Sequence, residues 1–237
     1  MALLTIDKVS FTADDLIVTA KRGGKSRAIS EEMFKYAKQA YKEGSELLTL
    51  KAIVEFYDKD EIETGGESIA ITASGKKESI LIGKSAGYLF PANVVAIAIC
   101  TAGAKLVEAM DRYANDGEYL MMYNLDMFGV KALGEMSQKV REYVTAAAVE
   151  KGWGVGPQMQ PGSAAGWEVS GQKDLFRLAH GERLGLSLNE SCFLVPRISD
   201  SMLIGMGPHY DKKHVSSLCG ECPRFKECLW RKENIDK

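Results

Sequence analysis

The chain has 237 residues, of which 46% are apolar and 26% are charged, and its formal net charge is −2 at pH 7. This length and apolar content suffice to bury a sizeable core, so the sequence belongs to the globular class. Acidic and basic residues are mixed along the chain without a basic stripe, which argues against nucleic acid as a partner. The longest apolar run, around residues 94–100, is far shorter than the roughly 20 residues of a membrane span. We therefore expect no membrane partner.

The cysteines are interpreted from the expected compartment. Residues 1–4 lack the basic start and the long apolar segment of a secretory signal, so we predict a cytoplasmic protein. Thiols tend to stay reduced in the cytoplasm. Three of the five cysteines fall within ten residues, which favours metal or cluster ligands over a disulfide framework.

The first half of the chain alternates strand and helix patterns. A short strand or arm leads to Ser30, which is a suitable N-cap for a helix over residues 31–48. Residues 50–57, 68–72 and 79–82 are rich in strand-forming residues and are separated by glycine-containing turns. We predict that these three strands form a meander.

The second half begins with a continuous apolar run at residues 94–100. Such a run is typical of a strand buried on both faces, and we place it at the centre of the sheet. Apolar spacing predicts a helix over residues 105–113 and a long helix that carries Leu125 and ends near Gly152. Residues 152–171 hold too many glycines and prolines for regular structure. The remaining predicted elements are a helix over 172–184, strands over 188–198 and 202–206, and a compact tail over 219–232.

These patterns predict an α+β fold with a mixed or antiparallel sheet and helices packed on it. We place a domain boundary after residue 208. Residues 1–208 then form the folded domain, and residues 209–237 form a cysteine-rich tail.

The tail contains Cys219, Cys222 and Cys228 in a C-x2-C-x5-C array. A C-x2-C pair lets two thiolates reach one metal or cluster from a tight turn, and a third can close the same face. The array favours a [4Fe-4S] cluster, with a structural zinc site and free thiols as alternatives. The fourth ligand stays open between an unoccupied iron position and four side chains, namely Cys192, Cys100, His209 and His214. Cys100 and Cys192 are also explained as small buried hydrophobes.

A second candidate site is the glycine-rich loop over residues 158–167. Its glycines permit close backbone approach to a flat or polar ligand, with Trp167 as a stacking face. The sequence alone favours the alternative that Trp167 is an anchor that ties a long loop to the core. No Ser/His/Asp order, phosphate loop or dinucleotide fingerprint is present, which excludes the hydrolase and kinase classes.

Over residues 33–206 the chain resembles the activation (reactivation) domain family of cobalamin-dependent methionine synthase, in its stand-alone short form. The resemblance rests on the order and spacing of several motifs rather than on one. The matching motifs are an apolar strand followed by Thr101-Ala102-Gly103, a helix-opening Leu125-Asp126-Met127-Phe128-Gly129, Pro161-Gly162 followed by Trp167 and Gln172, and the run from Gly185 to Ser191 followed by Pro196 and Ser199-Asp200-Ser201.

The resemblance implies a C-shaped α+β domain that docks over the corrinoid of a corrinoid protein or a cobalamin-dependent methyltransferase. It implies a role in the reactivation of a corrinoid-dependent methyltransferase. Taken together with the cysteine array, which the methionine synthase domain lacks, it leads to the hypothesis of an accessory redox protein whose iron–sulfur cluster delivers an electron to cob(II)alamin. The alternatives are an S-adenosylmethionine-binding methyl donor for reductive methylation and a non-catalytic docking module with structural zinc. The cofactor-binding positions implied by the motifs are Thr101, Gly103, Pro161, Gly162, Ser163 and Trp167.

The chain departs from the family at two positions of the P-G loop. The family has an Arg and a Tyr that contact S-adenosylmethionine where this sequence has Gln158 and Ser163. Loss of the guanidinium removes a bidentate partner for a carboxylate. This difference counts against S-adenosylmethionine as a cofactor.

Overall fold

The structure is a computed structural model that describes residues 1–17, 30–62, 66–163, 166–211 and 218. Its helices are α1 (Glu31–Leu47), α2 (Ala104–Asn115), α3 (Tyr119–Glu150) and α4 (Gln172–Leu178). Its strands are β1 (Ala2–Ile6), β2 (Leu50–Ile62), β3 (Ser68–Ala73), β4 (Lys76–Leu81), β5 (Val94–Thr101), β6 (Gly154–Met159), β7 (Ser187–Leu188), β8 (Leu194–Val195) and β9 (Ser199–Gly207). The predicted α+β class is confirmed.

The main sheet is antiparallel, with strand order β4-β3-β2-β5-β9-β6. The long strand β2 shares one edge between two partners, because β1 pairs with its first residues and β3 with its last ones. β5 lies between β2 and β9, and all eight of its residues are buried. The predictions of the meander and of a central strand buried on both faces are confirmed.

One face of the sheet is covered by α1, α2 and α3. Alternation along the strands sends every second side chain to this face. Ser30 caps α1 by accepting a hydrogen bond from the Met33 amide at 3.3 Å, as predicted. We call the apolar groups on this face the helix-side cluster, which includes Ala96, Ala98, Cys100, Leu106, Leu125, Phe128, Met136, Val140, Val144, Met202, Ile204 and Met206.

The opposite face is covered by α4, by the 3-10 helix Gly83–Leu89 and by the segment that carries Trp167. We call its apolar groups the loop-side cluster, which includes Ile53, Ile69, Ile71, Leu89, Val95, Ile97, Ile99, Met159, Trp167, Leu175, Leu178 and Leu203. The sheet is therefore the middle layer between two cores.

The motif Leu125–Gly129 does not open the long helix, which corrects one expectation. α3 begins at Tyr119, because Met121 already lies on the buried stripe that continues through Leu125 and Phe128. Gly129 is a packing position, since a Cβ there would lie 2.9 Å from Leu106 Cδ2 and 3.1 Å from Ile198 Cγ2.

Residues 152–171 are not irregular throughout, because Gly154–Met159 forms edge strand β6. The glycines make room for Tyr210, which folds back over the sheet. A Cβ at Gly154, Gly156 or Gly205 would lie within 2.3–2.9 Å of the Tyr210 side chain. Glycine is therefore required here by close packing and not by a turn, which the sequence pattern does not distinguish.

The expected helix over residues 172–184 is also too long. α4 ends at Leu178, and His180 is left-handed with φ +55°, so residues Gly181–Leu184 form a separate 3-10 turn. The expected strand over 188–198 is reduced to β7 and β8. Between them the Asn189 side chain accepts the Phe193 amide at 2.9 Å and Cys192 has φ +64°, because a short polar side chain competes with strand pairing.

Within the described residues, no helix combines the length and the apolar character needed to cross a membrane. The expected turn at residues 21–25 lies outside the described residues.

Candidate functional site

Thr101 and Gly103 form the predicted turn between β5 and α2. Thr101 Oγ1 accepts a hydrogen bond from the Gly103 amide at 3.1 Å, and Thr101 is only 3% exposed. Gly103 has φ +94°, and a Cβ there would lie 2.9 Å from Thr49 Cβ. The polar groups of this turn are thus used to close the strand onto the helix.

The neighbouring strand β9 extends this polar region. The hydroxyl oxygens of Ser199 and Thr101 are hydrogen-bonded at 2.8 Å, and the Ser199 hydroxyl also donates to the Pro196 carbonyl at 2.7 Å. Ser201 donates to Gln172 Oε1 at 3.0 Å. The T-x-G turn and the S-x-S run, far apart in sequence, are brought together at one end of the sheet.

The loop with Pro161 and Gly162 closes on itself. The Gly162 amide donates to the Trp167 carbonyl at 2.7 Å, and the Ser163 amide donates to the Gln160 carbonyl at 3.2 Å. Trp167 is 2% exposed and packs against Gly171, where a Cβ would lie 2.2 Å from the indole nitrogen. Trp167 therefore anchors the loop in the core, and its ring is not exposed for stacking.

Three buried polar atoms of this region lack a hydrogen-bond partner in the described part of the chain. They are Ser163 Oγ, Trp167 Nε1 and Gln172 Nε2. Buried polar groups are nearly always paired with protein or water, so unpaired ones call for an explanation. Two of the three atoms are obligate N–H donors, which suits an acceptor such as a water, a carbonyl or an anion.

Gln158 on β6 and Gln160 directly after it project towards the helices. Gln158 pairs with Ile204, a member of the helix-side cluster, and directly opposite residues share a face of the sheet. Gln160 donates a hydrogen bond from its side-chain amide to Asp200. Burial raises the pKa of Asp200 to about 6. Sequence reasoning identified Gln158 but missed the pair of Gln160 and Asp200, which only strand pairing reveals.

The array of Cys219, Cys222 and Cys228 lies outside the described residues, as does His214. Leu218, which precedes Cys219 in the sequence, packs against the loop-side cluster. Among residues 1–17, 30–62, 66–163, 166–211 and 218, no group of three His, Cys, Asp or Glu side chains is placed to hold a metal.

The candidates for a fourth ligand differ in accessibility. Cys100 is fully buried, its side chain is hydrogen-bonded with Ser137, and burial raises its pKa well above the ordinary value. Because the thiolate is the ligating form, this site disfavours ligation. Cys192 is 7% exposed in the turn between β7 and β8, and His209 is exposed after β9.

No protein-family model matches the chain, and no curated protein matches it. Among solved structures, the chain is similar to a crystal structure of the MetH reactivation domain bound to AdoHcy. The likeness covers 89% of this chain and 80% of that chain, with a TM-score of 0.53 and 15% identity. At this identity the likeness shows the fold, and it confirms the predicted α+β architecture of a reactivation domain.

Proposed function

We propose that this protein is a reactivation factor for a corrinoid-dependent methyltransferase. The observation that carries the proposal is the likeness in fold to the MetH reactivation domain over 89% of the chain. Fold does not determine function by itself. Further support comes from the sequence motifs, because Thr101 and Ser199 from two of them meet at one end of the sheet.

In this proposal the tail supplies redox chemistry. Cys219, Cys222 and Cys228 would hold a [4Fe-4S] cluster, which carries one electron at a time. An external low-potential reductant would supply that electron, and the corrinoid partner would take it up in passing from cob(II)alamin to cob(I)alamin. Cys192, His209, His214 or an open iron position would complete the ligand set. The burial of Cys100 argues against its inclusion.

The position of Leu218 supports a role for the tail near the glycine-rich loop. Leu218 packs against the same cluster as Trp167, which anchors that loop. The last described residue before the array therefore lies on the loop-bearing face of the sheet. We propose that this face meets the corrinoid partner and that residues 209–237 act there.

The first test is metal and sulfide analysis of protein purified without oxygen, with its absorption spectrum before and after dithionite. We expect about four irons per chain and a visible band that bleaches on reduction. Reduced protein, freed of dithionite, should then remove the electron paramagnetic resonance signal of cob(II)alamin. Cys222→Ala should abolish this activity, whereas Cys100→Ala should retain it. One zinc and no iron would contradict electron delivery and leave the docking module.

A second candidate function is S-adenosylmethionine binding, favoured by the unpaired polar atoms around Ser163, Trp167 and Gln172. The similar domain was crystallised with AdoHcy. Calorimetric titration with S-adenosylmethionine tests this function, and the variant Ser163→Tyr serves as the comparison. Binding that tightens in this variant would support the second candidate. No heat at millimolar nucleotide in either protein would remove it.

A further inference from the structure

Arg141, on α3, is a half-buried guanidinium without a counter-ion among the described residues. Its Nη2 is buried and has no hydrogen-bond partner there. Burial lowers the pKa of Arg141, and no neighbouring carboxylate offsets that effect. A cation held in this way costs folding free energy, because its lost hydration is not replaced.

The position of Arg141 follows from contacts along α3. Gly129 packs against Ile198 just before β9, and Ser137 is hydrogen-bonded with Cys100, which pairs with Asp200. α3 then ends at residue 150 and leads into β6, whose first residue pairs with Gly207 at the end of β9. The helix therefore runs alongside β9 in the same direction.

Arg141 lies one helical turn beyond Ser137, on the same flank of α3. Two residues of a strand rise roughly as far as four residues of a helix. Counted from Ser137, this flank therefore reaches the level of Met202 on β9, two residues before Ile204, which pairs with Gln158 on the edge strand β6.

The next residue on this flank is Thr145, which lines a small open cleft. The cleft has a volume of about 150 Å³, and its other walls are Val149, Gly152, Trp153, Gly154, Val155 and Asp211. Arg141 thus stands between this cleft and the pair formed by Gln160 and Asp200. Asp200 makes no ion pair with Arg141, and its carboxylate accepts hydrogen bonds from Gln160 and from the Ser201 amide.

We propose that Arg141, together with the Gln158 amide on the facing strand, forms a binding site for a compact oxyanion, a carboxylate or a phosphate. The planar guanidinium can donate two parallel hydrogen bonds to either group, and the side-chain amide of Gln158 on the facing strand would supply a third donor. The proposal does not depend on the tail or on corrinoid reactivation. It is also separate from the polar atoms around Trp167, which lie on the other face of the sheet.

Loss of the Arg141 guanidinium should change the stability of the free protein and its affinity for the anion in opposite directions. Arg141→Gln removes an unsatisfied buried charge, so the free protein should become more stable and its affinity for the anion should fall at least tenfold. A purely structural arginine would behave in the reverse way. Arg112→Gln is the matched control, because Arg112 is exposed and already paired with Glu43 at 3.0 Å.

The experiment is thermal unfolding of the full chain at fixed ionic strength, with acetate or inorganic phosphate titrated against chloride. Wild type and Arg112→Gln should show a saturable rise in Tm with at least one oxyanion, and Arg141→Gln should not. A response to acetate alone would assign a carboxylate ligand, and a response to phosphate alone would assign a phosphate ligand. Equal responses to chloride and to both oxyanions would overturn the proposal.

Gln158→Glu keeps the proposal testable if Arg141→Gln does not fold. A carboxylate placed opposite Arg141 should form an ion pair with the guanidinium. This ion pair should raise the Tm without added anion and abolish the rise in Tm with oxyanions. A Gln158→Glu protein that binds oxyanions as wild type does would overturn the proposed site.

Discussion

Gln160 donates a side-chain hydrogen bond to Asp200, and this contact joins the end of β6 to the start of β9. The second carboxylate oxygen of Asp200 accepts the Ser201 amide at 2.8 Å. These bonds favour the ionised form, but burial outweighs them and raises the pKa of Asp200 to about 6. The carboxylate is therefore held in a place where its charge is costly.

Asp200→Asn should make stability less sensitive to pH. The pKa of Asp200 is raised on folding, so its favourable contribution is complete below the unfolded pKa and is lost as the pH rises through about 6. Relative to wild type, the variant should gain about 1–2 kcal/mol of unfolding free energy between pH 4 and pH 7, allowing for partial exposure. Urea unfolding at several pH values measures the difference.

The control for this titration is Asp7→Asn, which changes an exposed carboxyl. Its stability difference from wild type should stay flat over the same pH range. If Asp200→Asn also gave a flat difference, burial would not control the Asp200 carboxyl.

Gly44→Ala should destabilise the protein by about 1–3 kcal/mol, which is the usual cost of overpacking. A Cβ at Gly44 would lie 2.5 Å from the Phe128 ring, which is held by edge contacts with Phe11 and Tyr41. Gly134→Ala is the control, because this exposed glycine of α3 has open space around it. That change should stabilise the protein by about 0.5–1 kcal/mol through helix propensity. If Gly44→Ala and Gly134→Ala changed the Tm equally, the close packing of Gly44 on Phe128, and so of α1 on α3, would be contradicted.

Tyr210→Phe should lower the free energy of unfolding by about 1 kcal/mol, since it removes one partly buried hydrogen bond. The Tyr210 hydroxyl donates to the Tyr88 carbonyl at 2.7 Å. Tyr123→Phe, at a tyrosine that is 50% exposed, should have no measurable effect. Chemical denaturation of both variants checks the prediction, and a neutral Tyr210→Phe would argue against the contact.

Cys100 should be inert to thiol reagents in the folded protein, because it is fully buried and its pKa is raised by burial. Iodoacetamide labelling followed by mass spectrometry should modify Cys100 only after denaturation. The metal content of Cys100→Ala should equal that of wild type. A loss of metal in this variant, with the fold retained, would restore Cys100 as a ligand.

The regular elements could be predicted from the sequence because their patterns are strong. The apolar run of β5 and the helical spacing of α1 and α3 each carry one period over many residues. β6 was missed because its glycines are required by Tyr210, which lies some fifty residues further along the chain. The turn at Cys192 was missed because a side-chain hydrogen bond from the Phe193 amide replaces strand pairing.

The candidate site was predicted in part. The motifs identified Thr101, Ser199 and the loop of Pro161, and the structure brings Thr101 and Ser199 into contact. Two features could not be read from one sequence. The contact of Gln160 with Asp200 depends on the pairing of β6 with β9. That Arg141 Nη2 has no hydrogen-bond partner among the described residues depends on the packing around α3.

The register of β6 determines which of its side chains face the helices and which face the loop-side cluster. Successive residues of a strand point to opposite sides, so Gln158 faces α3 while Met159 enters the core beside Trp167. A slip of one position would bury the glutamine amides among apolar groups and turn Met159 towards Arg141. Tyr210 packs on glycines of both strands and thus helps to fix their register. A larger residue at Gly156 or Gly205 would displace the Tyr210 side chain.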